Sequence, residues 1–225
     1  MNKIILHYKL FLTFAFFNTL LLPGYTQVSN YLFTQSNITY TDITGGTVLV
    51  PADNTDSDDE VYPGNAIGFT FNYNGTDHTT FGISSNGFLW LGSGEPAPDT
   101  YTPISGSSAN LDGTGTINGV ISPLGRDLFK RTTNPFGEIR IETVGTTPNR
   151  TCIIQYKDWR SYGLDAIYNF QVRLHETTNT IDLLYGSFTI ITAIELTDLE
   201  IGLRGNSDAD FNNVLAENAN WDAAV

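Results

Sequence analysis

The densest set of hard ligand atoms is the run Asp53-Asn-Thr-Asp-Ser-Asp-Asp-Glu60, where Asp53, Asp56, Asp58, Asp59 and Glu60 put five carboxylates into eight residues. Carboxylate oxygens in such number are what Ca²⁺ takes. Asn54, Asp56 and Asp58 fall at positions 1, 3 and 5 of a helix-loop-helix calcium loop. Asp59 then stands where that loop needs Gly, no Glu occupies the twelfth position, and no helical pattern flanks it, so that family is excluded. What remains is a looser calcium site in a β-protein loop, set against a plain solvated acidic loop. Asp208-Ala-Asp-Phe-Asn212 is a second candidate with the same omissions.

Other chemistries find less support. Beyond residue 26 only His78, His175 and Cys152 are left for zinc, none at ligand spacing. Gly82-Ile-Ser-Ser-Asn86 fails the nucleophile-elbow pattern at its last position. Glu138 and Glu142 lie four apart on one predicted strand, too far apart for a glycosidase pair at about 3.3 Å per residue. Cys152, the single cysteine, alternates with Ile154 and Tyr156 and reads as a buried thiol. Arg126-Asp127 reads as an internal pair that fixes a loop, with Asp158 or Arg160 as further partners. Aromatics at turns are the remaining recognition signal: Trp90, Tyr101, Trp159 and Tyr162 either stack on sugar rings or close the ends of the core. Asn37, Asn74 and Asn149 open glycosylation sequons, which matter only in a host that uses them.

These residues need a scaffold. The chain has 225 residues, 12% aromatic and 16% charged, enough for a real core and unlike a disordered chain or coiled coil. A formal charge of −13 leaves no basic stripe for nucleic acid. Residues 1–26 read as a signal peptide: Lys3 and Lys9, an apolar run Leu10–Leu22, the breakers Pro23-Gly24, and small residues before a cut at Gln27. The run falls short of the about 20 apolar residues a membrane anchor needs, and no Cys follows it for a lipid anchor. Loss of Lys3 and Lys9 leaves 9 bases against 24 acids, a mature charge of −15.

From Gln27 onward, period-2 alternation recurs without a helical period. Ile67, Phe69, Phe71 and Tyr73 form one face, Asn74-Gly75 turns the chain, and Thr79–Ser84 returns. Further strands are predicted at Phe88–Leu91, Asn118–Leu124, Glu138–Val144, Arg150–Lys157, Tyr168–His175, Thr180–Tyr185 and Asp198–Arg204, with shorter ones at Tyr31–Phe33, Ile38–Ile43 and Thr47–Val50. The pattern predicts one all-β domain, 27–225: an antiparallel two-layer β-sandwich, jelly-roll-like. The Gly-, Ser-, Pro- and Thr-rich segment 92–119 reads as a long surface excursion. Gln171, Arg173, His175, Arg140, Glu142, Asp182, Glu200 and Arg204 are expected on a solvated outer face, as cross-strand pairs rather than a ligand platform.

The succession Ile67–Gly75, Ile83–Phe88, Ile121–Leu128, Glu138–Glu142, Ile154–Trp159, Phe170–Glu176, Ile201–Gly205 and Asn220-Trp221 resembles a recurring N-terminal module of large secreted or surface proteins of Bacteroidetes-type bacteria, many exported by the type IX route. It spans nearly all of 30–222. More distantly, Ile121–Leu128 and Phe170–Gly186 resemble the nidogen-type extracellular β-domain. The resemblance implies a non-catalytic sandwich. No further repeat or sorting domain follows Asn220-Trp221, so the chain is expected to be a fragment of a longer protein or a stand-alone version. The expected function is a secreted or cell-surface binding or adhesion module, for carbohydrate and stabilised by Ca²⁺. Its expected partner is an extracellular glycan or surface protein, its expected state a monomer without a membrane span. The alternatives are a structural spacer and, from another class, a carbohydrate-active enzyme.

Overall fold

Alternating apolar side chains and turn-forming dipeptides fold the chain into twelve strands and one 3₁₀ turn, Val28–Asn30, with no α-helix among the described residues. The computed structural model describes residues 27–92, 94–101, 103–104, 117–163, 166–189, 199–207 and 210–215. The predicted signal segment, much of 102–116, Asp208 and Asn220-Trp221 lie outside them. The strands are β1 (Thr47–Val50), β2 (Val61–Tyr73), β3 (Thr76–Ser84), β4 (Phe88–Trp90), β5 (Val120–Gly125), β6 (Leu128–Lys130), β7 (Glu138–Val144), β8 (Thr151–Ser161), β9 (Ile167–His175), β10 (Ile181–Tyr185), β11 (Glu200–Arg204) and β12 (Phe211–Leu215).

They form two antiparallel sheets packed as a sandwich. One runs β1-β7-β8-β9-β10 with β6 beside the far end of β8; the other runs β12-β11-β5-β4-β3-β2. The inner faces supply Ile67, Phe69, Phe71 and Tyr73 from β2 against Ile154, Tyr156, Phe170 and Val172 from β8 and β9. Tyr156 and Phe170 stack at 4.5 Å between centroids. Each fully buried aromatic withdraws about 150–250 Å² from water, on the order of 4–6 kcal/mol before entropy is counted. Buried phenols and indoles also tie the layers. Tyr156 Oη donates to Ser84 O at 2.7 Å, Tyr185 Oη to Pro123 O at 2.6 Å, and Trp159 Nε1 to Ser85 O at 2.8 Å. Cys152 is fully buried, and burial pushes its thiol up to about 11, so it is an inert core group.

Three expectations change. Tyr31–Phe33 and Ile38–Ile43 are not strands. Residues 41–45 instead form a strap across the polar face of the first sheet. Ile43 N donates to Gln155 Oε1, Gln171 Nε2 to Thr41 O, and Arg140 to the carbonyls of Thr44 and Gly45. That face is therefore not simply solvated: Gln155 and Gln171 are fully buried under the strap, and on β11 of the second sheet Glu200 and Arg204 are fully buried too, Glu200 accepting from Ile104 N at 2.7 Å. Nor is 92–119 only a surface excursion. Ile104 and Ile117 pack on Phe88, Trp90 and Val120 as a small second core outside the second sheet. Two short strands, β6 and β12, escape the pattern because three residues show no period and Asn212-Asn213 have low strand propensity. Asp210, from the second acidic candidate, is a buried structural acceptor of Val28 N and Asn74 Nδ2.

Candidate functional site

One end of the sandwich gathers four connections: the acidic loop before β2, the Ser85–Gly87 turn, the Arg126-Asp127 turn and the Tyr162-Gly163 turn. The antiparallel pairing of β2, β3, β4 and β5 brings the first three together, since each borders the same strand ends. Asn86 joins them. Its buried amide donates to Asp59 Oδ1 at 3.0 Å and to Pro98 O at 3.2 Å, while its carbonyl oxygen accepts from Leu128 N at 2.8 Å. Gly87 has φ +77°, and a Cβ there would lie 2.2 Å from Leu124 O, so only glycine closes this turn.

The acidic loop divides in two. Asp53 Oδ1 accepts from Lys130 Nζ at 2.6 Å and from Thr55, and the Lys130 side chain is fully buried. The Lys130 hydrogen bond, helped by Thr55, lowers the Asp53 carboxyl to about 2. Asp56 accepts from Ser57 N, and Asp56 and Glu60 are exposed. Asp58 and Asp59 turn the other way. Asp58 bridges to Phe129 of β6 through the backbone, and Asp59 adopts φ +48°. With Asp127 they form a cluster in which one carboxylate oxygen from each lies within 4.8 Å of the others. Asp58 Oδ1 is buried and has no hydrogen-bond partner. Burial first, then the charges of Asp59, Asp127 and Asp56, push Asp58 up to about 6. Asp127 is also raised, by burial and then by Asp59, against the pull of Arg126.

A cation between these groups would relieve that repulsion. Ca²⁺ takes oxygens at about 2.3–2.6 Å, so two on opposite sides of it lie up to about 5 Å apart. The observed spacing suits Ca²⁺ with water completing the shell. Of the sequence candidates, Asp58 and Asp59 are brought together; Asp53, Asp56 and Glu60 are not among the clustered oxygens. Asp127 was missed because Arg126-Asp127 reads as a pair. Arg126 Nε also donates to Ser161 Oγ at 2.6 Å, while its charge acts on Asp127. The available signal was topological: both the Ser85–Gly87 and the Arg126-Asp127 turns must close at one end of adjacent strands.

The aromatics also divide. Trp90 is 3% exposed, donates to Gly94 O and belongs to the small second core. Trp159 is 0% exposed with its indole N–H spent on Ser85 O. Neither ring is free to stack on a ligand. Strict alternation after Tyr156 would turn Trp159 outward. A bulge at Lys157-Asp158, with Asp158 at φ +52°, resets the register and turns it in. Tyr162 and Tyr101 are 58% and 45% exposed. Tyr162 packs edge-on against Phe129 at 5.8 Å, and Arg160 lies 5.1 Å over the Phe129 ring. Because Tyr162 N donates to Asp127 O, this aromatic rim borders the carboxylate cluster.

Comparison with known proteins gives one match. A family model described as NIDO related covers residues 30–224. No curated protein and no solved structure matches the chain.

Proposed function

The chain belongs to the NIDO-related, that is nidogen-related, family, a non-enzymatic extracellular kind of domain, and from that membership we propose a secreted or cell-surface binding module for glycans whose acidic end is closed by Ca²⁺. The observation that carries the calcium reading is the convergence of Asp58, Asp59 and Asp127 around a buried, unpartnered oxygen. The ion would join the acidic loop to the β5–β6 turn and hold the Tyr162–Phe129 rim against it. Glycan is the expected ligand because an exposed tyrosine, Tyr162, beside a cation offers both a stacking face and hydroxyl coordination.

Export supports the same reading. Residues 1–26 carry the signal-peptide pattern, and no helix among the described residues is long and apolar enough to cross a membrane. Val28 N is anchored on Asp210, so a cut before Gln27 preserves the first packed residue. We extend the proposal to an N-terminal module of a Bacteroidetes-type surface protein, which the motif succession resembles, acting as a monomer. The test is retention of the purified protein on a panel of insoluble and arrayed polysaccharides, with Ca²⁺ and with EDTA. Saturable binding to one glycan class supports the module. No retention in either condition overturns the glycan reading in favour of a structural spacer.

A further inference from the structure

A second concave site lies away from the carboxylate cluster, where the N-terminal strap meets β8 and the end of β10. It is an open groove of about 560 Å³ lined by Tyr40, Asp42, Lys157, Asp158, Asn169 and Ser187, with Ile38 at its edge. That volume lies within the range of small-ligand pockets. Its walls are fixed. Lys157 Nζ binds Asp42 Oδ2 at 2.5 Å, which pins the strap to β8. Asn169 accepts from Asp158 N at 2.9 Å and donates to Ser187 O and Oγ. A Cβ on Gly186 would lie 2.9–3.0 Å from three atoms of the Tyr40 ring, so glycine here lets the ring lie flat on the backbone.

The bulge that turns Trp159 inward has a second effect. It places Asp158, at φ +52°, in the groove rather than in the sheet alternation. The Asp158 carboxylate takes no hydrogen bond from the described residues, and burial raises its affinity for a proton. Bulges and left-handed residues that aim a side chain are common at functional sites. The groove thus interleaves acceptors (Asp158 and the second Asp42 oxygen) with donors (Lys157 Nζ and the Ser187 hydroxyl) beside a flat ring and the 55% exposed Ile38. The carboxylates Asp42 and Asp158 are offset by Lys157 and by Arg131 and Arg173 nearby, so neither sign of charge dominates the groove.

We propose that this groove binds one neutral sugar unit, its adjacent hydroxyls bridging Asp158 and Lys157 and one ring face resting on Tyr40. A sugar hydroxyl both donates and accepts, which is what mixed acceptors and donors at this spacing require. The proposal rests on the glycan-binding reading above and names a site for it that needs no metal.

The test is titration of the purified, ¹⁵N-labelled protein in EDTA with mannose, galactose, fucose and N-acetylglucosamine and their short oligomers. One sugar is expected to shift the Gly186 amide and the Asn169 side-chain resonances in a saturable way. D158N keeps a residue that tolerates the left-handed backbone, and Y40A removes the flat wall. Each should weaken binding at least tenfold while circular dichroism stays near wild type, and D77N, at the exposed start of β3, should leave binding unchanged. Binding that D158N and Y40A do not alter, or that shifts residues elsewhere, overturns the groove and leaves the glycan reading standing. Absence of binding by any sugar, in Ca²⁺ as in EDTA, overturns both.

Discussion

Two halves of one acidic loop, five residues apart, meet opposite fates. Asp53 is neutralised by a cation built into the chain, the buried Lys130, and ties the loop to β6. Asp58 and Asp59 meet a third carboxylate, Asp127, and no counter-ion of comparable contact is supplied. The local composition is nearly the same. The difference is what stands opposite in space: the run is neutralised where the fold supplies a base and left in repulsion where it supplies another carboxylate.

The comparison can be broken most sharply by truncating each half in turn. D53A orphans a buried ammonium and should give the largest loss of stability among these variants. D59N in metal-free buffer removes a repulsion while keeping an oxygen for Asn86 and a residue that tolerates φ +48°, and should leave stability unchanged or raised. Urea denaturation of both variants checks the opposite signs; equal losses would erase the distinction. Next in size is the response to metal. Ca²⁺ at a hundredfold excess over its Kd should add about 2.7 kcal/mol, a rise of about 5–10 °C in Tm. D58N, D59N and D127N should each abolish that rise, and D56N should keep it.

The halves should also answer pH in opposite directions. Asp58 has a folded value of about 6 against 3.8 for the free side chain, so the folded state holds the extra proton between them. Its contribution is fully present below about pH 4 and is lost as pH rises through about 6. Asp53, held at about 2, contributes above about pH 4 and loses that contribution as pH falls toward 2. Metal-free melting curves of D58N should lack the decline between pH 4 and 7, while D53A should lack the acid-limb loss. The smallest effect is expected from Y162A, within about 0.5 kcal/mol of wild-type stability, because its ring is mostly exposed.

Much of the scaffold is legible in the sequence, since Ile67, Phe69, Phe71 and Tyr73 bury one face as their spacing requires. The strap is not, because Ile38–Ile43 alternates like a strand but finds side-chain amides rather than a ladder. Trp159 closes the core, one of the two roles its type and place offer, but alternation alone is blind to the bulge at Asp158 that turns it in. Of the carboxylate cluster, Asp58 and Asp59 are visible as a run, whereas Asp127 comes from another turn and is joined to them only by strand pairing. Lys130 carries no pattern at all. A lysine followed by Arg131 at the end of a short strand reads as an outward residue, yet it is fully buried against Asp53.

Calorimetric titration of Ca²⁺ into the metal-free protein at pH 7, beside D127N, tests the central claim most directly. One saturable site in the wild type that D127N abolishes, with both proteins folded, is the predicted result. No heat of binding in the wild type, or undiminished binding by D127N, would contradict it.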